Sequence, residues 1–223
     1  MPLRKPPEPG SLDSRLGGMG LVLAPMVFIV GWNVGGRLTL DYSPMHQAIS
    51  RIAAVGAPQR SLMTAAFVGY SAWILAAIPA VRRTYVERIW PALLVNGLAT
   101  LAVAALALDR SHIIDVGHGV AATAGYLSLA AVPILGAKPL KEAGFAKSAM
   151  ASWLAAAGIL AFLLLTLVLD AKGFAQRAGL TIGDVWLACT GFAIVTGRLS
   201  PAVERDESEQ AVEPGDDAEE VPV

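Results

Sequence analysis

Charge is scarce in this sequence, and so is sulfur. Only 16% of the 223 residues are Asp, Glu, Lys or Arg, against roughly 25% in ordinary soluble domains. A single cysteine, Cys189, excludes an internal disulfide framework and any zinc cluster built on thiolates. There is no phosphate-binding glycine loop, no dinucleotide fingerprint and no nucleic-acid module. The basic residues fall in gaps between apolar runs, so nucleic acid is not an expected partner. The polar–apolar alternation of a membrane barrel is missing too. What fills the chain is hydrophobic: 55% of residues, with a mean hydropathy of +0.56. A water-soluble domain of this size could hardly keep so much apolar surface from solvent.

The apolar residues gather in six runs, at about 17–36, 61–81, 89–108, 116–137, 148–169 and 180–197. Each suits a bilayer core of ~30 Å crossed by a helix rising ~1.5 Å per residue. A lipid-exposed strand would leave its backbone unpaired, so helices are the expected form. The first run follows Arg4, Lys5 and Arg15 like a signal peptide, but its end, 31–37, offers no small-x-small cleavage site, so it reads as an uncleaved span. The expected fold is an all-α six-helix transmembrane bundle. The expected domain division is a flexible N-terminus at 1–16, a membrane domain at 17–198 and a tail at 199–223. From Pro201 onward there are nine acidic residues and one basic residue, Arg205, with no apolar periodicity, which predicts a disordered acidic tail.

Six spans put both termini on one side of the membrane. That side collects eleven Lys and Arg, the other six, so the termini are expected in the cytoplasm of a cell with this protein in its inner membrane. On the outer side, Ser43–Pro44 reads as a helix start. Met45, Ala48, Ile49, Ile52 and Val55 would form an apolar face, with His46, Gln47, Ser50 and Arg51 on the wet one. This predicts a short amphipathic helix at the outer face. Trp32, Tyr42, Tyr85 and Trp90 read as interface anchors. Gly31 and Gly35 permit close helix approach, within the bundle or to a partner. Pro25 and Pro133 are candidates for kinks lining a cavity.

All three histidines fall on the predicted outer side. Asp109, His112, Asp115 and His118 recur every third residue, which puts Asp115 and His118 on one helical face. A carboxylate beside an imidazole can orient a general base. His46, His112 and His118 with Asp115 could instead hold zinc with a position left for water. Ser50, one turn after His46, would supply a hydroxyl nucleophile. The plainer reading is a set of solvated loop residues, with Asp115 at a helix N-terminus. Thr181–Asp184 reads as a capping box opening the sixth span.

Residues 46–58 (HQAISRIAAVGAP), 118–122 (HGVAA) and 179–186 (GLTIGDVW) together resemble a membrane family catalogued as domain of unknown function 998. The resemblance covers roughly 17–198 and implies a multi-span inner-membrane protein with no assigned reaction. Its recurring polar positions map onto Ser50, His118 and Asp184. A looser likeness is to transmembrane hydrolases related to alkaline ceramidases, from which the chain departs in its six spans and its lack of a His-x-x-x-His pair. The expected function is a polar site at the outer membrane face, lipid-binding or hydrolytic, built from His46, Ser50, Asp109, His112, Asp115 and His118. The alternative is a non-catalytic subunit packing against a membrane complex. The bilayer is the expected partner in either case, with a membrane protein or a second copy as the other candidates.

Overall fold

A computed structural model describes residues 12–199. The expectations for 1–11 and for most of the acidic tail lie outside the described residues. Six helices follow one another: α1 Leu12–Leu38, α2 Arg60–Val81, α3 Trp90–Ala105, α4 His112–Glu142, α5 Ala146–Val168 and α6 Lys172–Val195. All six belong to segments long and apolar enough to cross a membrane, and no strand occurs among the described residues. The protein is a multi-pass membrane protein. Only a helix can satisfy every backbone donor and acceptor locally in hydrocarbon, and the sequence leaves these runs no other solution.

Three boundaries differ from expectation. α1 begins at Leu12, so 12–16 are helical. Leu199, assigned to the tail, is buried, and its carbonyl accepts from Tyr85 N at 3.1 Å. α6 begins at Lys172, eight residues before the apolar run opens. That early turn is polar because it faces protein: Gln176 and Arg177 point at the loop between α1 and α2.

Each helix packs on its sequence neighbour, and α1 also packs on α6, which closes a ring. The α5 span is 17% buried, against 39–44% for the others, so it lies outside against α4 and α6. Large side chains such as Leu21, Ile74, Leu93, Leu129 and Leu187 fill the interior. Gly31 and Gly35 pack within the chain. A Cβ at Gly31 would collide with Ala66 of α2, and one at Gly35 would stand 3.0 Å from Ile52.

The expected amphipathic helix after Ser43 does not form as such. One turn spans 43–47, closed by Ser43 O to the Gln47 N–H at 2.8 Å and by Gln47 Oε1 to the Ser43 N–H at 3.2 Å. Ala48 is extended, and a 3-10 helix follows at Ile49–Ala53. The cause is competition for carbonyls. A continuous helix needs those of residues 44–47 for its own ladder. Here Arg177 donates to Pro44 O at 2.8 Å and Gln47 O at 3.1 Å, and Phe174 N donates to Met45 O at 3.0 Å. Gly173 permits the contact, since a Cβ there would land on the carbonyl oxygens of Pro44 and Gln47. The 3-10 helix therefore turns Ile49, Ser50 and Ile52 inward, and Ser50, expected on the wet face, is buried.

Candidate functional site

Inside the ring lies a cavity with about 70 Å³ open to the centres of water-sized molecules. A buried water needs roughly 10–15 Å³ by this measure, so the space suits about five waters or a group of similar size. Four of its walls come from regular helical stripes. α4 contributes His118, Ala122, Gly125, Tyr126 and Leu129; α6 contributes Gln176, Leu180 and Asp184; α3 contributes Asn96, Thr100 and Val103; α2 contributes Phe67 and Tyr70. Spacings of three, four and seven keep each stripe on one side of its helix. Phe28 of α1 completes the wall, and Ile49 and Ser50 of the 3-10 helix cover the end. No α5 residue lines it. Pro25 and Pro133, expected as cavity-lining kinks, lie in unbroken helices away from it.

Most polar groups of the wall are paired. The Tyr70 hydroxyl donates to Asn96 Oδ1 at 2.9 Å, and Asn96 Nδ2 donates to Gly125 O at 2.9 Å. The Tyr126 hydroxyl donates to Gln176 O at 2.6 Å, and Gln176 Oε1 accepts from Ile49 N at 2.8 Å. Two fully buried atoms of the wall are unpaired. Asp184 is 2% exposed and His118 4%, and among the described residues neither Asp184 Oδ2 nor His118 Nε2 has a hydrogen-bond partner. His118 Nδ1 stands 2.7 Å from Leu106 O. A carbonyl only accepts, so Nδ1 carries the proton, and in the neutral ring Nε2 presents its lone pair. Asp184 is twelve residues into α6, about 18 Å along the axis and midway along the helix. It is no cap: the helix begins at Lys172, and the capping-box reading is corrected accordingly. A carboxyl left there costs several kcal/mol when ionised and unpaired.

The structure divides the sequence-predicted set. Ser50 and His118 reach the cavity, and Asp184 joins them. The other four do not. His46 is exposed and faces Asp170 Oδ2 at 3.2 Å. Asp109 takes a left-handed backbone (φ 63°) and holds Arg51 Nη1 at 2.8 Å on the surface. Asp115 Oδ1 accepts from Asp109 N at 3.0 Å, so Asp115 and His118 do share a face, the one turned to the α3–α4 connection. His112 opens α4, exposed, beside the Ser111 cap. The zinc set of His46, His112, His118 and Asp115 is not assembled. Among the described residues, no group of three or more His, Cys, Asp or Glu side chains could hold a metal ion. The reason is that each is engaged or directed elsewhere: His46 to the α5–α6 corner, His118 inward, Asp115 to a backbone amide.

Sequence reasoning missed Tyr70, Asn96, Tyr126 and Gln176. Asn96 carried a usable signal, as an amide in mid-span. It also missed Arg177, which lies in the polar stretch between the fifth and sixth apolar runs. Arg177 is buried and donates to Pro44 O, Gln47 O and Gly173 O, and to the Tyr42 hydroxyl. Its guanidinium lies 5.2 Å from the Trp32 ring centroid and 5.5 Å from that of Tyr42. Two expected interface anchors thus bracket a buried cation. Burial pushes the Tyr42 phenol above its ordinary value, and the charge of Arg177 opposes that rise. Together these contacts fasten the cavity's cover to α6.

A family model described as "Protein of unknown function (DUF998)" matches residues 22–193. No curated protein and no solved structure matches the chain, and nothing in these comparisons supports the likeness to alkaline ceramidases.

Proposed function

The chain belongs to the DUF998 family, whose description assigns no activity, and from its own geometry we propose that it is an intramembrane binding protein for a small polar group or the head of an amphiphile. The carrying observation is that His118 and Asp184, whose Nε2 and Oδ2 are buried and have no partner among the described residues, both line one cavity. Native interiors rarely leave such atoms unmatched, and intramembrane ionisable groups usually mark a binding site or pathway. In this reading the ligand enters from the end covered by residues 39–59, and the excess of Lys and Arg in the loops of the opposite side supports an extracytoplasmic position for that end.

The test is recovery of the ligand. The full chain is purified into nanodiscs from its native membrane and extracted for mass spectrometry. A compound at near one per chain, lost in a variant whose cavity is filled by Ala122→Phe, is the expected result. Nothing above the level of empty nanodiscs, in a folded wild-type protein that also binds no added small amine or alcohol, would refute the reading.

A second reading is hydrolytic. Ser50 and His118 line the same cavity, and the Leu106 carbonyl fixes the tautomer whose Nε2 can take a proton. In that reading Ser50 is the nucleophile or holds a water, and His118 is the general base. Ser50→Ala would then abolish turnover of an added ester while leaving binding intact.

A further inference from the structure

The two unmatched atoms ask for the same thing. His118 Nε2 offers a lone pair, because Nδ1 is spent on Leu106 O. Asp184, when ionised, can only accept. A ligand that satisfies both brings donors. Among the described residues, the cavity wall holds no Lys or Arg to neutralise the carboxylate. The basic residue nearest in sequence on α6 is Arg177, which does not line the cavity; three carbonyls and the Tyr42 hydroxyl engage its Nη1 and Nη2, and its Nε has no partner among the described residues. The neutralising charge therefore comes from a proton or from a ligand.

The rest of the wall favours a ligand cation. Phe28, Phe67 and Tyr70 form an aromatic cluster, with Phe28 at 5.7 Å from Phe67 and 5.5 Å from Tyr70 between centroids, and Tyr126 adds a fourth ring to the lining. Aromatic rings attract organic cations, more strongly where water is excluded. A neutral alcohol would satisfy the hydrogen bonds but would leave the charge of Asp184 and the rings unused.

Resting on the binding reading above, we propose that the ligand is an organic ammonium ion, held by Asp184 and His118 through its N–H donors and by the aromatic cluster through its positive carbons. A space for about five waters fits an alkylammonium head of four or five heavy atoms.

The test uses two probes that differ chiefly in charge, n-butylammonium and n-butanol, with the full chain in phosphatidylcholine nanodiscs. Binding is read by saturation-transfer NMR and by melting temperature at neutral pH. The expected result is a preference for n-butylammonium of tenfold or more, lost in Asp184→Asn and kept in Asp184→Glu. Equal binding of the two probes, unchanged by Asp184→Asn, would overturn the ammonium assignment while leaving the cavity a binding site. Binding of neither probe overturns it as well, unless the native extract yields an amine, which supports it; a neutral compound there counts against it. An empty native extract with no probe binding removes the binding reading itself. Should Asp184→Asn fail to fold, the comparison of amine with alcohol on the wild-type chain still decides.

Discussion

Arg177 is the most consequential side chain for the cover of the cavity, and Arg177→Met tests that directly. Methionine keeps much of the aliphatic stem and removes the guanidinium. Three bonds to carbonyls at 2.8, 3.1 and 2.9 Å disappear, along with stacking on Trp32 and Tyr42. A bond to a charged group contributes about 1.5–3 kcal/mol net. Two factors lower the total. Pro44 and Gln47 are exposed, so water can reach their carbonyls once the cover loosens, and removing a buried charge recovers desolvation energy. A net loss of about 2–4 kcal/mol remains. At roughly 2–4 °C per kcal/mol for a chain of this size, the melting temperature in detergent should fall by ~4–16 °C. Amide exchange should rise in 43–53 well before it rises in α2 or α3, because the cover is attached through this one residue more than any other. A melting temperature within 2 °C of wild type, together with unchanged exchange in 43–53, would refute the view that Arg177 holds the cover.

Other outcomes follow from the same geometry. Gly173→Ala puts a Cβ onto the Pro44 and Gln47 carbonyls; exchange in 43–53 should increase with α6 intact, and no change would show that the loop yields freely. His46→Ala removes an exposed pair of at most about 1 kcal/mol, so stability and ligand recovery should both stay near wild type; loss of the ligand would return His46 to the site. Tyr42 has its phenol raised above the ordinary value of 10.0 by burial. Its share of stability is thus fully present below pH 10 and is lost as pH rises through the shifted value. Tyr42→Phe should flatten that alkaline loss relative to wild type in melting experiments across pH 8–12, and superimposable profiles would contradict it. A reporter active only in the cytoplasm should work when fused at Val223 and stay silent when inserted after Gly36; the reverse pattern would invert the orientation.

The spans were legible because hydrocarbon imposes one rule on every residue, and long apolar runs satisfy it in only one way. The errors fell where protein replaces lipid as the neighbour. Gln176 and Arg177 look like loop residues when weighed by polarity alone, but they sit in a helical turn whose surroundings are carbonyls and aromatic rings. Asp184 looked like a cap for the same reason: the apolar run opens late, and the helix does not. The histidines were judged by their side of the membrane. Burial proved to matter more, since His118 alone of the three turns inward while His46 and His112 remain exposed. Ser50 depended on which carbonyls α6 would take from 44–47, and no local periodicity carries that information.

The ring also has a history in time. Chains emerge N-terminus first, so α2, α3 and α4 are made before the helix that carries Asp184. Their polar residues are provided for early: Tyr70, Asn96 and Gly125 bond to one another across α2, α3 and α4 alone, and His118 finds Leu106 in the connection just before its own helix. Only the arrival of α6 against α1 shuts the ring and brings its last ionisable group inside. A ribosome-bound chain halted after α5 would hold a partly satisfied polar seam that faces lipid, and the finished cavity is the product of the final helix.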